Sequence, residues 1–120
     1  IEAAAAATAP PPAQPGISNA HRATRAAVDR LYPGEAQVEY VVRGLAVDIA
    51  LPARQIAIEV DGPVHYTRGG DLDVRSRFKQ RLLEGLGWAV VRVRLQEVEA
   101  VSGKDLGDVV AGRVAAARAV

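Results

Sequence analysis

Hydrophobic positions alternate with polar or small ones through Gln37 to Val42, Leu45 to Leu51 and Gln55 to Asp61, a period of two that predicts three β-strands. The second and third are joined by Pro52, Ala53, Arg54 and Gln55, a short turn with proline leading, and so form a hairpin. If that turn is the whole loop, Leu51 pairs with Ile56 and Asp48 falls opposite Glu59. Ahead of the strands, Ala20, Ala23, Ala27, Val28 and Leu31 share one stripe of a helix predicted to start at a Ser18 cap, with Arg22, Arg25 and Asp29 off the stripe. The sequence YPGE then ends that helix. Beyond the strands, Asp71 to about Gly85 reads as a second helix, EGLGW supplies glycines for a left-handed cap, and WAVVRVRL reads as a fourth strand. A strand, a helix and a strand in this order make a βαβ unit, whose strands run parallel with a right-handed crossover. A last helix is predicted from Ser102 to about Arg118, with Leu106, Val109, Val110, Arg113 and Val114 on one side. The fold class is therefore α/β, a mixed sheet of about four strands flanked by helices on both faces.

The same alternation sorts the charges. Val47, Ile49 and Leu51 share one face with Ile56, Ile58 and Val60, while Asp48 shares the other with Ala57, Glu59 and Asp61. Carboxylates gathered on one face repel unless something neutralises them. On the second helix, Leu72, Phe78, Leu82, Leu83 and Leu86 define an apolar stripe expected to lie on the sheet, with Arg75 and Lys79 inside it and Arg77, Arg81 and Glu84 facing water. The fourth strand adds Arg92 and Arg94. Two readings follow. Asp48, Glu59 and Asp61 form an ion-pair cluster with Arg75, Lys79 or Arg92, or they hold Mg²⁺ or Mn²⁺ while a lysine stabilises developing charge or activates water.

Composition narrows these choices only slightly. With 120 residues, 49% of them hydrophobic and 24% charged, and a formal net charge of +1, the chain is an ordinary globular domain rather than a disordered or strongly basic one. The basic residues are nonetheless 13 arginines among 15, and the guanidinium fork suits phosphate. The chain has no cysteine, which excludes disulfides and thiolate zinc sites and leaves any metal to oxygen ligands or the two histidines. It also has no methionine, which predicts a piece of something longer. Residues 1–16, rich in alanine and proline, are expected to be a linker entering a domain at 17–120. No apolar run reaches the length of a membrane span, so no membrane partner is expected.

With LAVDIALPARQIAIEVDGPVHYTRG and FKQRLLEGLGWAVVRV, the chain closely resembles the RAP domain, an RNA-binding module, from roughly residue 38 to 98. The resemblance implies a restriction-endonuclease-like α/β/α sandwich, a reduced member of the PD-(D/E)XK superfamily near its very-short-patch-repair-like branch. It also implies a C-terminal module of a mitochondrial or chloroplast protein acting in RNA processing, stability, translation or ribosome assembly, and following helical repeats such as octotricopeptide repeats. The implied partners are RNA and other organellar RNA-metabolism or ribosomal proteins, with no cofactor required for binding. Against the nuclease motif, Asp48 matches the first acid and Glu59 the second, whereas Asp61 stands where lysine is wanted; Lys79 on the helix is the expected substitute. The alternatives are thus a metal-dependent endoribonuclease with Asp48, Glu59, Asp61 and Lys79 as its catalytic set, its first three acids as metal ligands, and a structural module docking a partner in an organellar ribosome.

For RNA binding the candidate residues are His65, Tyr66, Arg68, Arg75, Arg77, Lys79 and Arg81. His65 follows the carboxyl end of a central strand, where α/β sheets place ligands. It is either a phosphate contact or proton carrier, or a turn histidine bonded to backbone. Tyr66 is either a stacking platform for a base or a half-buried loop residue. Arg68, Arg77 and Arg81 form an exposed basic patch suited to backbone phosphates, or an uncommitted solvated face. Trp88 is expected in the core, and His21 on the surface.

Overall fold

A computed structural model describes residues 15–101 and 103–118. The stretch expected to be a linker lies, up to residue 14, outside the described residues, as does Ser102. The first helix, α1 (Pro15–Leu31), begins three residues ahead of the expected Ser18 cap, with proline in its opening turn, where a missing amide hydrogen costs nothing.

Three strands follow: β1 (Gln37–Val42), β2 (Leu45–Leu51) and β3 (Ile56–Asp61). Arg43 and Gly44 connect β1 to β2 with φ values of 49° and 83°, the two left-handed residues of a tight hairpin turn matched to strand twist. A single 3-10 turn at Pro52–Arg54 connects β2 to β3, and Leu51 pairs with Ile56 as expected. A second 3-10 turn (Pro63–His65) leads into a loop pinned by a bridge between Tyr66 and Leu72. Helix α2 (Val74–Gly85) then crosses over to β4 (Ala89–Arg94), which pairs with β3 in parallel. The sheet is mixed, in the order β1-β2-β3-β4.

Helix α2 is bounded at both ends by local chemistry. The Asp73 carboxylate accepts from the Ser76 amide at 2.7 Å, capping its start. At its end Gly87 takes φ 91°, its amide bonding the Glu84 carbonyl while the Trp88 amide bonds that of Leu83. This is a Schellman ending, and Leu83 and Trp88 pack together beneath it. The chain leaves β4 through a short helix that the sequence does not announce, α3 (Leu95–Ala100), so Leu95 ends in a helix and not in the strand. The final helix is α4 (Gly103–Arg118).

The two faces of the sheet are unequal. On one, Ile49, Leu51, Ile56, Ile58, Val60, Val91 and Val93 pack against Ala20, Ala27 and Val28 of α1, Val98 of α3, and Leu106, Val110 and Val114 of α4. On the other lies a small cluster of Val42, Val47, Ala50, Ala57, Leu83 and Trp88. Val47 was expected with Ile49 but packs on the opposite side, because the alternation breaks at Asp48. There the Asp48 amide bonds the Glu59 carboxylate and Glu39, facing it on β1, has φ 51°.

A second expectation fails for a related reason. Helix α2 does not lay Phe78, Leu82 and Leu86 on the sheet; they are 63%, 41% and 39% exposed, and of its residues only Ser76 and Leu83 are buried. The sheet face under α2 offers acids and only a small apolar cluster, and the helix turns its Ser76, Lys79 and Leu83 line toward it and its bulky apolar line outward.

Candidate functional site

Where α2 meets the carboxyl ends of β3 and β4 lies a cavity of about 530 Å³. Its lining includes His21, Asp48, Glu59, Asp61, His65, Asp73, Arg75, Ser76, Lys79 and Arg92. Strand alternation delivers Glu59 and Asp61 to this face, and the parallel register sets Arg92 beside Glu59. The helix delivers Ser76 and Lys79 one turn apart.

Each acid is already engaged. Glu59 receives Lys79 Nζ on one oxygen and the Asp48 amide, at 3.0 Å, on the other. Asp48 in turn accepts from the Val60 amide at 2.8 Å, so the two carboxylates replace ladder bonds that their strands lack at this point. Arg92 Nη1 donates to both oxygens of Asp61, at 3.1 and 2.9 Å, and the Tyr66 hydroxyl adds a third bond at 3.1 Å. The same guanidinium donates from Nε to Gln80 at 2.7 Å and from Nη2 to the Ser76 carbonyl at 3.2 Å, tying α2 to the sheet. Of the cations expected to neutralise the acids, Lys79 and Arg92 do so, whereas Arg75 lines the rim of the cavity and is exposed.

Burial, reinforced by the Asp48 carboxylate, pushes the Glu59 carboxyl above its ordinary value of 4.5, outweighing the downward pull of Lys79 and the Asp48 amide. A carboxyl raised on folding binds its proton more tightly in the folded state. Its contribution therefore favours folding at low pH and is lost as pH climbs from 4.5 through the raised value. Wild type should accordingly lose stability relative to Glu59→Gln over that climb, as read by urea unfolding at successive pH values; a constant difference would contradict the shift. The Glu97 carboxyl has the opposite sign. Its Arg113 hydrogen bond holds it below 4.5, so its contribution is present above that value and lost as pH falls.

Around the cavity the remaining candidates separate. His65 Nδ1 lies 3.3 Å from Ser76 Oγ, at the cavity wall. Tyr66 is spoken for on one side, since the Arg94 guanidinium sits 3.8 Å over its ring. Arg68, Arg75, Arg77 and Arg81 are all exposed, Arg68 at the loop tip and the others along α2. Trp88 is buried, with Tyr40 at 5.9 Å. His21 was expected at the surface but reaches the cavity, 3.9 Å from Asp48. The signal in the sequence was its spacing, three and seven residues ahead of Thr24 and Val28, which the structure buries.

The acids as arranged do not suit a metal ion. Both oxygens of Glu59, both of Asp61 and Oδ2 of Asp48 already accept hydrogen bonds, two of the donors being full cations. Among the described residues no group of three His, Asp or Glu is placed to hold one.

Comparison with known proteins agrees with this architecture. Residues 58–105 match the RAP domain family. A chloroplastic RAP domain-containing protein of Oryza sativa subsp. japonica is 36% identical over 67 residues, which cover 55% of this chain and 10% of that protein. The chain thus spans about a tenth of that relative's length. Among solved structures, the catalytic domain of the homing endonuclease I-Bth0305I superposes with a TM-score of 0.62 at 17% identity, over 82% of this chain and 95% of that one. At that identity the likeness is one of fold, a nuclease-like mixed sheet flanked by helices.

Proposed function

We propose, for a chain that carries a RAP domain over residues 58–105, that it is an RNA-binding module of a longer organellar protein and that it binds without cutting. The carrying observation is the division of its charges. Inside, the acids are matched by Lys79 and Arg92; outside, Arg68, Arg75, Arg77 and Arg81 stand exposed on the loop after β3 and on α2. Exposed arginines along α2 and the adjoining loop are what phosphate contacts need. His65 adds a ring nitrogen at the wall of the cavity that Arg75 also lines. The organellar assignment is supported by the rice relative, whose name is chloroplastic. The process served, whether RNA processing, stability, translation or ribosome assembly, belongs to the longer protein and its other partners. The test is a titration of labelled single-stranded RNA at rising salt, where affinity should fall steeply because releasing condensed counterions into more concentrated salt gains less free energy.

A second reading keeps one observation on its side, the convergence of Asp48, Glu59, Asp61 and Lys79 on a single cavity. Metal-dependent RNA cleavage there requires Glu59 and Asp61 first to give up Lys79 and Arg92. Cleavage that disappears in Glu59→Gln with the fold retained would support it.

A further inference from the structure

The outward line of α2 is unexplained by the ion-pair cluster. Val74, Phe78, Leu82 and Leu86 are 71%, 63%, 41% and 39% exposed, and a contiguous apolar strip on a small domain marks a contact surface. The strip is not uniformly greasy. Phe78 has Arg75 and Arg81 three residues to either side, hence as neighbours on the helix surface, and all three are exposed. Toward the β1–β2 turn the strip runs into a shallow cavity of about 400 Å³ lined by Arg43, Leu45, Arg81, Leu82, Gly85 and Leu86. Among the described residues no ring contact is made by Phe78, whereas Tyr40, Trp88 and Tyr66 each have one.

We propose that Phe78 is a stacking platform for an unpaired base, with Arg75 and Arg81 holding the flanking phosphates, so that the domain prefers single-stranded over duplex RNA. This rests on the RNA-binding reading above. The choice of occupant follows from charge. Along α2 the exposed Arg75, Arg77 and Arg81 stand against a single exposed acid, Glu84, a positive balance that complements a phosphate backbone. An open ring between cations is the arrangement that single-strand binders use, because every base has a π-face and every linkage a negative charge. The inward turn of Lys79 also belongs to this arrangement, since pairing with Glu59 turns the helix so that Phe78 points out.

The test compares a labelled oligouridylate, an abasic ribose-phosphate strand of equal length and an RNA duplex, each titrated by fluorescence anisotropy with the full chain. Phe78→Ala is expected to weaken oligouridylate binding roughly 5- to 100-fold, to leave the abasic strand unchanged, and to be rescued by Phe78→Trp. Because the ring is exposed, the alanine variant keeps its fold, which its thermal unfolding checks. Equal oligouridylate affinity in wild type and Phe78→Ala overturns the stacking role and leaves RNA binding standing. Equal losses on the oligouridylate and abasic strands also overturn it. Concentration-dependent dimerisation of wild type that Phe78→Ala abolishes would assign the strip to a second copy of the chain instead. Failure of wild type to bind any of the three probes would remove RNA binding and stacking together.

Discussion

Replacing Arg92 by leucine is expected to destabilise the domain by about 3–5 kcal/mol, the loss that follows when a buried ion pair is stripped of one partner. Asp61 is 2% exposed, and without the two Arg92 bonds its charge stays buried with the Tyr66 hydroxyl as its remaining side-chain donor among the described residues. The substitution also removes the donors to Gln80 and to the Ser76 carbonyl, so α2 loses its tie to β4. Domains are typically stable by about 5–15 kcal/mol, so the variant should unfold at far lower urea. Arg92→Lys retains charge without the planar fork and should fall between the two. A double variant, Arg92→Leu with Asp61→Leu, should recover most of the loss, because no uncompensated ion remains. A double variant no more stable than the single one would place the damage in packing and not in charge.

Reversing the outer charges should do the opposite, sparing the fold and removing the ligand. Arg77 and Arg81 are exposed one turn apart on α2, and no ion pair holds either among the described residues. Arg77→Glu with Arg81→Glu is expected to leave urea unfolding within about 0.5 kcal/mol of wild type, as exposed substitutions usually do. Affinity for single-stranded RNA should collapse. The slope of log affinity against log salt should shallow by about 2, roughly 1 for each phosphate contact removed. Retained affinity with an unchanged slope would show that RNA binds elsewhere.

The strand region was legible in the chain because its alternation was clean. Leu51 against Ile56, the mixed sheet and the parallel crossover to β4 all follow from where aliphatic residues stop and turn residues start. The gathering of Asp48, Glu59 and Asp61 was legible for the same reason. The phase of α2 was not. An apolar line normally marks a helix's buried side, but here Lys79 faces the sheet because Glu59 awaits it there, and Arg92 ties the same turn down through the Ser76 carbonyl. Local pattern carries no record of a partner on another strand. Equally hidden was the break at Asp48, where side-chain carboxylates take the place of ladder carbonyls and send Val47 to the far face. Helix α3 went unseen because Leu95 continues the apolar rhythm of β4 across the boundary.

The most direct measurement is a time course of labelled single-stranded RNA with the full chain, in Mg²⁺ or Mn²⁺ and in chelator, beside Glu59→Gln. If the inner acids serve as partners of Lys79 and Arg92 and the outer arginines bind, the RNA stays intact under every condition, and its mobility shift survives chelator but weakens with salt. Metal-dependent cleavage by wild type, lost in a folded Glu59→Gln variant, would contradict this and make the cavity beneath α2 a nuclease site.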